Sequence, residues 1–322
     1  MVTRLFCGTG LLLVFLAGSH STATEAESVF GDLSFQQGFL LSYPRVAKGR
    51  AVAATLDLGR ADAQPLWRLC QWATKYSLAD APCITGSQGD VSYQNEGKRV
   101  VVGGPASPHR DLILEIRGQA EYGAQPRHAG ESWPHLLVEQ DAPRPFQIDA
   151  LERLTLSVHL RLLYCTDHMA AADYNAGLHA AQFQMFFIVK NVSPQAADHG
   201  DYFWFGVPFF DNRYDSPPAY MAKDAGKSDA TGKFIYTVAA RAVGIRPLTS
   251  GQWVDVETNL LPHIQSGLAE AVARGYLKAG HERDYAVVNM NLGWEIPGTF
   301  DAAMQVRDLE ISASPRGIGP ER

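Results

Sequence analysis

Residues 151–164, LERLTLSVHLRLLY, constrain the fold more than any other stretch of this chain. Leu154, Leu156, Val158, Leu160 and Leu162 recur at every second position, with Thr155, Ser157, His159 and Arg161 between them. A period of two sends alternate side chains to opposite faces of an extended backbone, so the segment reads as a long β-strand, apolar toward a core and polar away from it. Such a strand needs partners in a sheet, and the apolar face of that sheet needs a second layer.

Further strand patterns recur along the chain. They cover residues 29–43, 51–58, 97–104, 111–118, 133–140, 182–192, 202–210, 233–243, 252–258, 286–295 and 299–312. In 111–118, Leu112, Leu114 and Ile116 oppose Ile113, Glu115 and Arg117; 202–210 (YFWFGVPFF) is apolar throughout, as expected of a strand covered on both faces. Two segments switch to helical spacing. Residues 61–78 carry Leu66, Leu69, Cys70 and Ala73 behind Pro65 at a first-turn position. Residues 261–279 carry Ile264, Leu268, Ala271, Val272 and Gly275, with Asn259 as cap and Gly280 as terminator. Pro143 and Pro145 mark 142–146 as a turn, 119–132 and 166–177 as loops join the strands, and 211–229 forms a long Asp/Pro/Gly-rich loop.

The N-terminus has the layout of a secretory signal: Arg4, an apolar run LLLVFLA at 11–17, and Ser21-Thr22-Ala23 as a small-residue cleavage site. The apolar run is short for a membrane span. The expected organisation is a signal peptide over 1–23, one β-sandwich domain over 24–313 and a disordered tail over 314–322, giving a secreted or periplasmic protein with no transmembrane segment after cleavage. In an oxidising compartment Cys70 and Cys83 are the natural disulfide pair, against the alternative that they and Cys165 are small buried apolar groups. The net charge of −6 provides no basic field for nucleic acid.

Strands in this number, with two helices, predict a mainly β fold: a two-sheet antiparallel β-sandwich with two peripheral α-helices. The layout of signal, about ten strands, polar and aromatic groups on one face and a last strand such as FDAAMQVRDLEIS resembles the jelly-roll or concanavalin-like sandwiches of secreted carbohydrate-active proteins. Two segments, Leu114-Glu115-Ile116-Arg117 and 202–207, are similar to those of alginate-lyase-type jelly rolls. The first lacks that family's fuller arginine-rich pattern, and the second has Trp204 and Phe205 where a lysine would stand. The resemblance is therefore one of architecture, and it implies a polysaccharide or oligosaccharide ligand.

If the polar faces of several strands meet on one sheet, they bring together Glu115 and Arg117, His135 and Glu139, His159 and Arg161, Gln182 and Gln184, and Asn289, Asn291 and Glu295, with Trp133 and Trp204 beside them. Amides, carboxylates and guanidinium groups bind paired hydroxyls, and aromatic faces stack on sugar rings. The plain alternative is a solvated sheet face laced by weak Glu–Arg pairs. Catalytic roles fall to Glu139, His159 and Arg161. Glycoside hydrolysis needs two carboxyls about 5–10 Å apart, Glu139 with Glu115 or Glu295; a lyase would use His159 or His135 with a tyrosine, and Arg161 or Arg117 on a uronate. No G-x-S-x-G, HExxH or phosphate loop is present. Asp211, Asn212 and Asp215 have oxygen-ligand spacing for structural calcium, or form an Asx-rich turn in which Asp211 and Arg213 contact the ligand. No other cofactor is expected. A third reading is a structural or adhesive envelope protein whose polar face is merely wet.

Overall fold

The structure is a computed structural model that describes residues 25–45, 50–60, 63–225, 230–278 and 280–317. The expected signal segment lies outside the described residues. The chain begins with β1 (Glu27–Ser28), β2 (Phe39–Ser42), β3 (Val52–Leu56) and β4 (Trp67–Cys70). There follow β5 (Cys83–Thr85), β6 (Val91–Gln94), β7 (Lys98–Val102), β8 (Asp111–Arg117), the short helix α1 (Gly118–Tyr122) and β9 (His135–Gln147). Next come β10 (Leu151–Asp167), β11 (Gln182–Asn191), β12 (Tyr202–Asp211), β13 (Tyr220–Lys223), β14 (Phe234–Thr237) and β15 (Trp253–Asn259). The chain closes with α2 (Leu261–Ala273), β16 (Tyr285–Glu295) and β17 (Phe300–Pro315).

These strands build two sheets. One has eight strands in the order β15-β10-β17-β8-β7-β6-β5, with β1 added to β17; the other has nine, in the order β13-β14-β12-β11-β16-β9-β4-β2-β3. Pairing is antiparallel except for β2 with β4 and β12 with β14, which are parallel. The sheets pack face to face, and the mainly β two-sheet sandwich is as expected. In β10 Leu154, Leu156, Val158, Leu160 and Leu162 are buried while Thr155, Ser157, His159 and Arg161 are half-buried on the far side. Phe183, Met185, Phe187 and Val189 of β11 face Leu112, Leu114 and Ile116 of β8 in one continuous core. Trp294, fully buried, spans that core: its indole N–H donates to the Leu114 carbonyl of the opposite sheet (2.9 Å).

Several local expectations are corrected. The helix expected over 61–78 is instead strand β4, in which buried Trp67 and Leu69 alternate with Arg68 and Cys70. The helical spacing was misleading because Leu66 is exposed, Ala73 is held at φ +52°, and Trp67 is locked between Phe35 (ring centroids 4.9 Å apart) and a hydrogen bond to Asp32. The turn expected at 142–146 is part of β9. Its register against β16 jumps between Asp141 and Phe146, so Pro143 and Pro145 sit where no ladder bond is required of them. Residues 118–122 form a helix of one turn where a loop was expected, and the long 211–229 loop contains β13. Helix α2 ends at Ala273, before a left-handed Gly275, rather than at Gly280. Its buried Gly267 lies against Phe203 and Tyr236, so the helix plugs the gap beside β12 and β14. The last strand runs to Pro315, two residues into the expected tail.

The Cys70–Cys83 bond is absent. Cys70 is buried in the nine-stranded sheet, Cys83 is exposed on the edge strand of the other, and both are free, as is Cys165. Burial pushes the Cys70 thiol well above its usual range, and neighbouring Glu139 adds to this.

Candidate functional site

The polar residues expected to share one surface are divided between the two sheets. Glu115 and Arg117 lie on β8, and His159 and Arg161 on β10, all in the eight-stranded sheet. His135, Glu139, Gln182, Gln184, Trp204, Asn289, Asn291 and Glu295 belong to the nine-stranded sheet. In a sandwich the outer faces of the two sheets point apart, so the set cannot form one site. The eight-stranded face is instead laced with pairs: His159 with Asp255 (2.6 Å), Arg117 with Glu115 (2.6 Å), Arg307 with Asp111 (3.0 Å) and Arg161 with Gln305 (2.5 Å). Trp253 carries Arg161 and Arg307 guanidinium groups at 4.9 and 4.4 Å from its ring. This is the solvated-face alternative, and it removes His159 and Arg161 from a shared catalytic role with Glu139.

The outer face of the nine-stranded sheet is different. Its register arranges side chains in rows across the strands. One row runs Arg68–Glu139–Asn291–Phe186–Gly206–Thr237, from β4 to β14. Two residues along, Cys70, Leu137, Gly293, Gln184 and Pro208 form a second row, buried except at Gln184. The third row is His135–Glu295–Gln182–Asp211. On the other side of the first row lie Asp141, Asn289, Ile188, Trp204 and Ile235. Adjacent rows stand about 7 Å apart, so the first and third rows are about 14 Å apart at the backbone. Gly293 is required here: with φ +155°, a Cβ would come within 2.1 Å of the Leu136 carbonyl oxygen.

The carboxylates of this face are held differently. Glu139 is 8% exposed and pairs with Arg50 (2.5 Å) and Arg68 (3.4 Å); Arg50 also pairs with Asp141. Asp211 is held by Arg213 through both oxygens (2.8 and 2.6 Å) and accepts from the Gln182 amide (2.9 Å). That doubled hydrogen bond raises the Arg213 guanidinium above its usual range. Glu295 is held by an indole, an imidazole and an amide: Trp133 Nε1–H donates to Oε2 (2.9 Å), Gln184 Nε2 donates to Oε1 (3.2 Å), and His135 Nε2 lies 3.4 Å from Oε2. Asn291 has its own distinction. It is 5% exposed, yet among the described residues its side-chain amide has no hydrogen-bond partner. Asn289 donates to Asp141 (2.9 Å), while its buried Oδ1 is unpaired. Aromatic groups flank these rows: Trp72 and Trp133 around His135, and Phe186, Trp204 and Tyr202 in edge-on contact on β11 and β12.

The calcium pattern at 211–215 is otherwise engaged. Asp211 is occupied as above and Asn212 Oδ1 accepts the Ala181 N–H (2.6 Å); among the described residues no group of three or more His, Cys, Asp or Glu is placed to hold a metal ion. Sequence reasoning missed Arg50, Arg68, Asp141 and Trp72, all on segments whose periodicity was weak or misread.

No known family description and no curated protein matches the chain. Among solved structures, it is similar to an endoglucanase from Rhodothermus marinus at 11% identity and TM-score 0.37, over 74% of this chain and 96% of that one. It is also similar to a family 12 xyloglucanase from Bacillus licheniformis (8%, TM-score 0.38, 73% and 97%). A third is the xyloglucanase domain of an effector from Sinorhizobium fredii, solved with cellobiose (8%, TM-score 0.38, 74% and 100%). Among the described residues no helix is long and apolar enough to cross a membrane.

Proposed function

We propose that this is an exported protein that binds a glycan chain across the polar rows on the outer face of the nine-stranded sheet. The observation that carries the reading is Asn291. Its side chain is nearly buried and among the described residues its amide makes no hydrogen bond, so a hydroxyl from outside can pair with it. Its neighbours are those that suit sugar hydroxyls: fixed carboxylates at Glu139 and Glu295, the amides of Gln182 and Gln184, and aromatic faces at Trp133 and Trp204. The test is retention on immobilised neutral and acidic glycans, with product release scored alongside. Retention that Asn291→Ala weakens supports the reading; a chain that binds no glycan defeats it.

Hydrolysis of the bound chain is a second reading, favoured by the third row. Glu295 and Asp211 flank Gln182 two strand spacings apart, about 10 Å at the backbone, near the separation that inverting glycosidases use. Glu295 and Glu139 stand about 14 Å apart along the strands, beyond the reach of a retaining pair. In this reading Glu295 gives its proton to the glycosidic oxygen as the bond to the anomeric carbon breaks. Water adds to that carbon and passes a proton to Asp211, and exchange with solvent restores both carboxyls. Glu295→Gln then abolishes release of new reducing ends even at saturating glycan.

A further inference from the structure

The hydrogen bonds of His135 fix where its protons can be. Nδ1 lies 2.7 Å from the Trp133 carbonyl oxygen, and a carbonyl only accepts, so Nδ1 carries a hydrogen. The ring has no freedom to turn. It is 4% exposed, stacks on Trp133 (5.9 Å, 17° between planes) and meets Trp72 edge-on (5.8 Å). Its own backbone N–H is tied to the Trp72 carbonyl (2.9 Å). Nε2 lies 3.4 Å from Glu295 Oε2, an ion-pair distance. A neutral imidazole with its hydrogen on Nδ1 presents a lone pair to that oxygen, and an ionised carboxylate presents another. Two lone pairs opposed in a nearly dry site repel, and one proton between them removes the conflict whichever atom holds it.

We infer that His135 and Glu295 share one proton, and that His135 is the positioning residue that keeps Glu295 supplied as the proton donor of this face. The donor role rests on the hydrolytic reading above; the shared proton does not. The charged groups that face the pair are Arg127, whose guanidinium lies 4.7 Å from the Trp133 ring, and the Asp211–Arg213 ion pair on the far side of Gln182. On its own strand the nearest is Glu139, already paired with Arg50 and Arg68.

The test is imidazole nitrogen NMR on the full ¹⁵N-labelled chain, with His135 assigned by its loss in His135→Gln. At neutral pH the expected spectrum has Nδ1 protonated and Nε2 at a shift between those of a bare and a protonated nitrogen, or fully protonated. In Glu295→Gln, whose amide can donate to Nε2, that nitrogen moves to the bare position while Nδ1 stays. An Nδ1 without hydrogen, or an Nε2 signal identical in the two proteins, overturns the shared proton. With a cleavable glycan, Glu295→Gln loses about 10²–10⁴-fold in turnover. His135→Gln loses about tenfold or more in turnover at saturating glycan and displaces the acidic limb of the pH profile. An unchanged profile in His135→Gln refutes the positioning role. A wild-type chain that cleaves nothing ends the hydrolytic reading and with it the donor role, whereas the NMR comparison decides the shared proton alone.

Discussion

At the scale of single residues, the polar groups of the nine-stranded face differ in how firmly they are held. Glu139 and Asp211 are each tied to arginine, so replacing either strands a partly buried guanidinium. Asn291 is tied to nothing among the described residues. Asn291→Ala is accordingly expected to weaken glycan retention about tenfold, the worth of one hydrogen bond near 1.4 kcal/mol, while the thermal midpoint stays level or rises. Affinity electrophoresis and calorimetry on the same samples check both halves. Asp308 gives a pH prediction. Burial alone would raise its carboxyl, but the Arg110 backbone N–H and the His109 and Arg110 side chains outweigh that and hold it below its usual range. A depressed carboxyl stabilises the fold above its unfolded value, about 3.9, and the benefit disappears as pH falls through the lower folded value. The gap in thermal midpoint between wild type and Asp308→Asn should thus be open at pH 7 and close on acidification below pH ~4. Asn tolerates the left-handed backbone found there (φ +52°), which keeps the comparison clean.

At the scale of elements, β9 and β16 form the floor of the candidate site, and their close approach depends on Gly293. Gly293→Ala must push apart the β9 and β16 backbones or twist out of register, costing about 1–3 kcal/mol. Because the same ladder sets Asn291 opposite Glu139 and Glu295 opposite His135, retention should fall with stability. Urea denaturation followed by tryptophan fluorescence, with retention measured on the folded fraction, checks this. A variant as stable as wild type would show that the strands do not need that contact. Strand β4 is the second lesson at this scale. Its four residues, WRLC, are too few for a period of two to outweigh helical spacing in the flanks, yet they supply Arg68 to the site. What decides between the two is the partner: β4 is clamped between β2 and β9, and Trp67 fills the core between Phe30 and Phe35.

At the scale of the whole molecule, the sandwich gives two outer faces with opposite characters. Charges are paired on both faces; what sets the nine-stranded face apart is the Asn291 amide, with no hydrogen bond among the described residues, and the unpaired Asn289 Oδ1. His159→Gln, on the first face, should leave glycan retention unchanged, whereas Asn291→Ala reduces it; loss of retention in His159→Gln would relocate the site. The periodicity of 151–164, 182–192, 202–210 and 286–295 was enough to reveal strands, their buried faces and a two-layer β fold. Most of the polar residues now found on the nine-stranded face, from His135 to Glu295, could be picked out for the same reason: alternation is a local property, written in neighbouring residues. Which strands lie side by side is not local. The order β4-β9-β16-β11-β12 joins residues as far apart in the chain as His135 and Glu295, and no spacing in the chain encodes it. Hence the sequence by itself determined that polar faces exist, and only the tertiary structure decided that His159 and Arg161 stand on the other side of the core from Glu295.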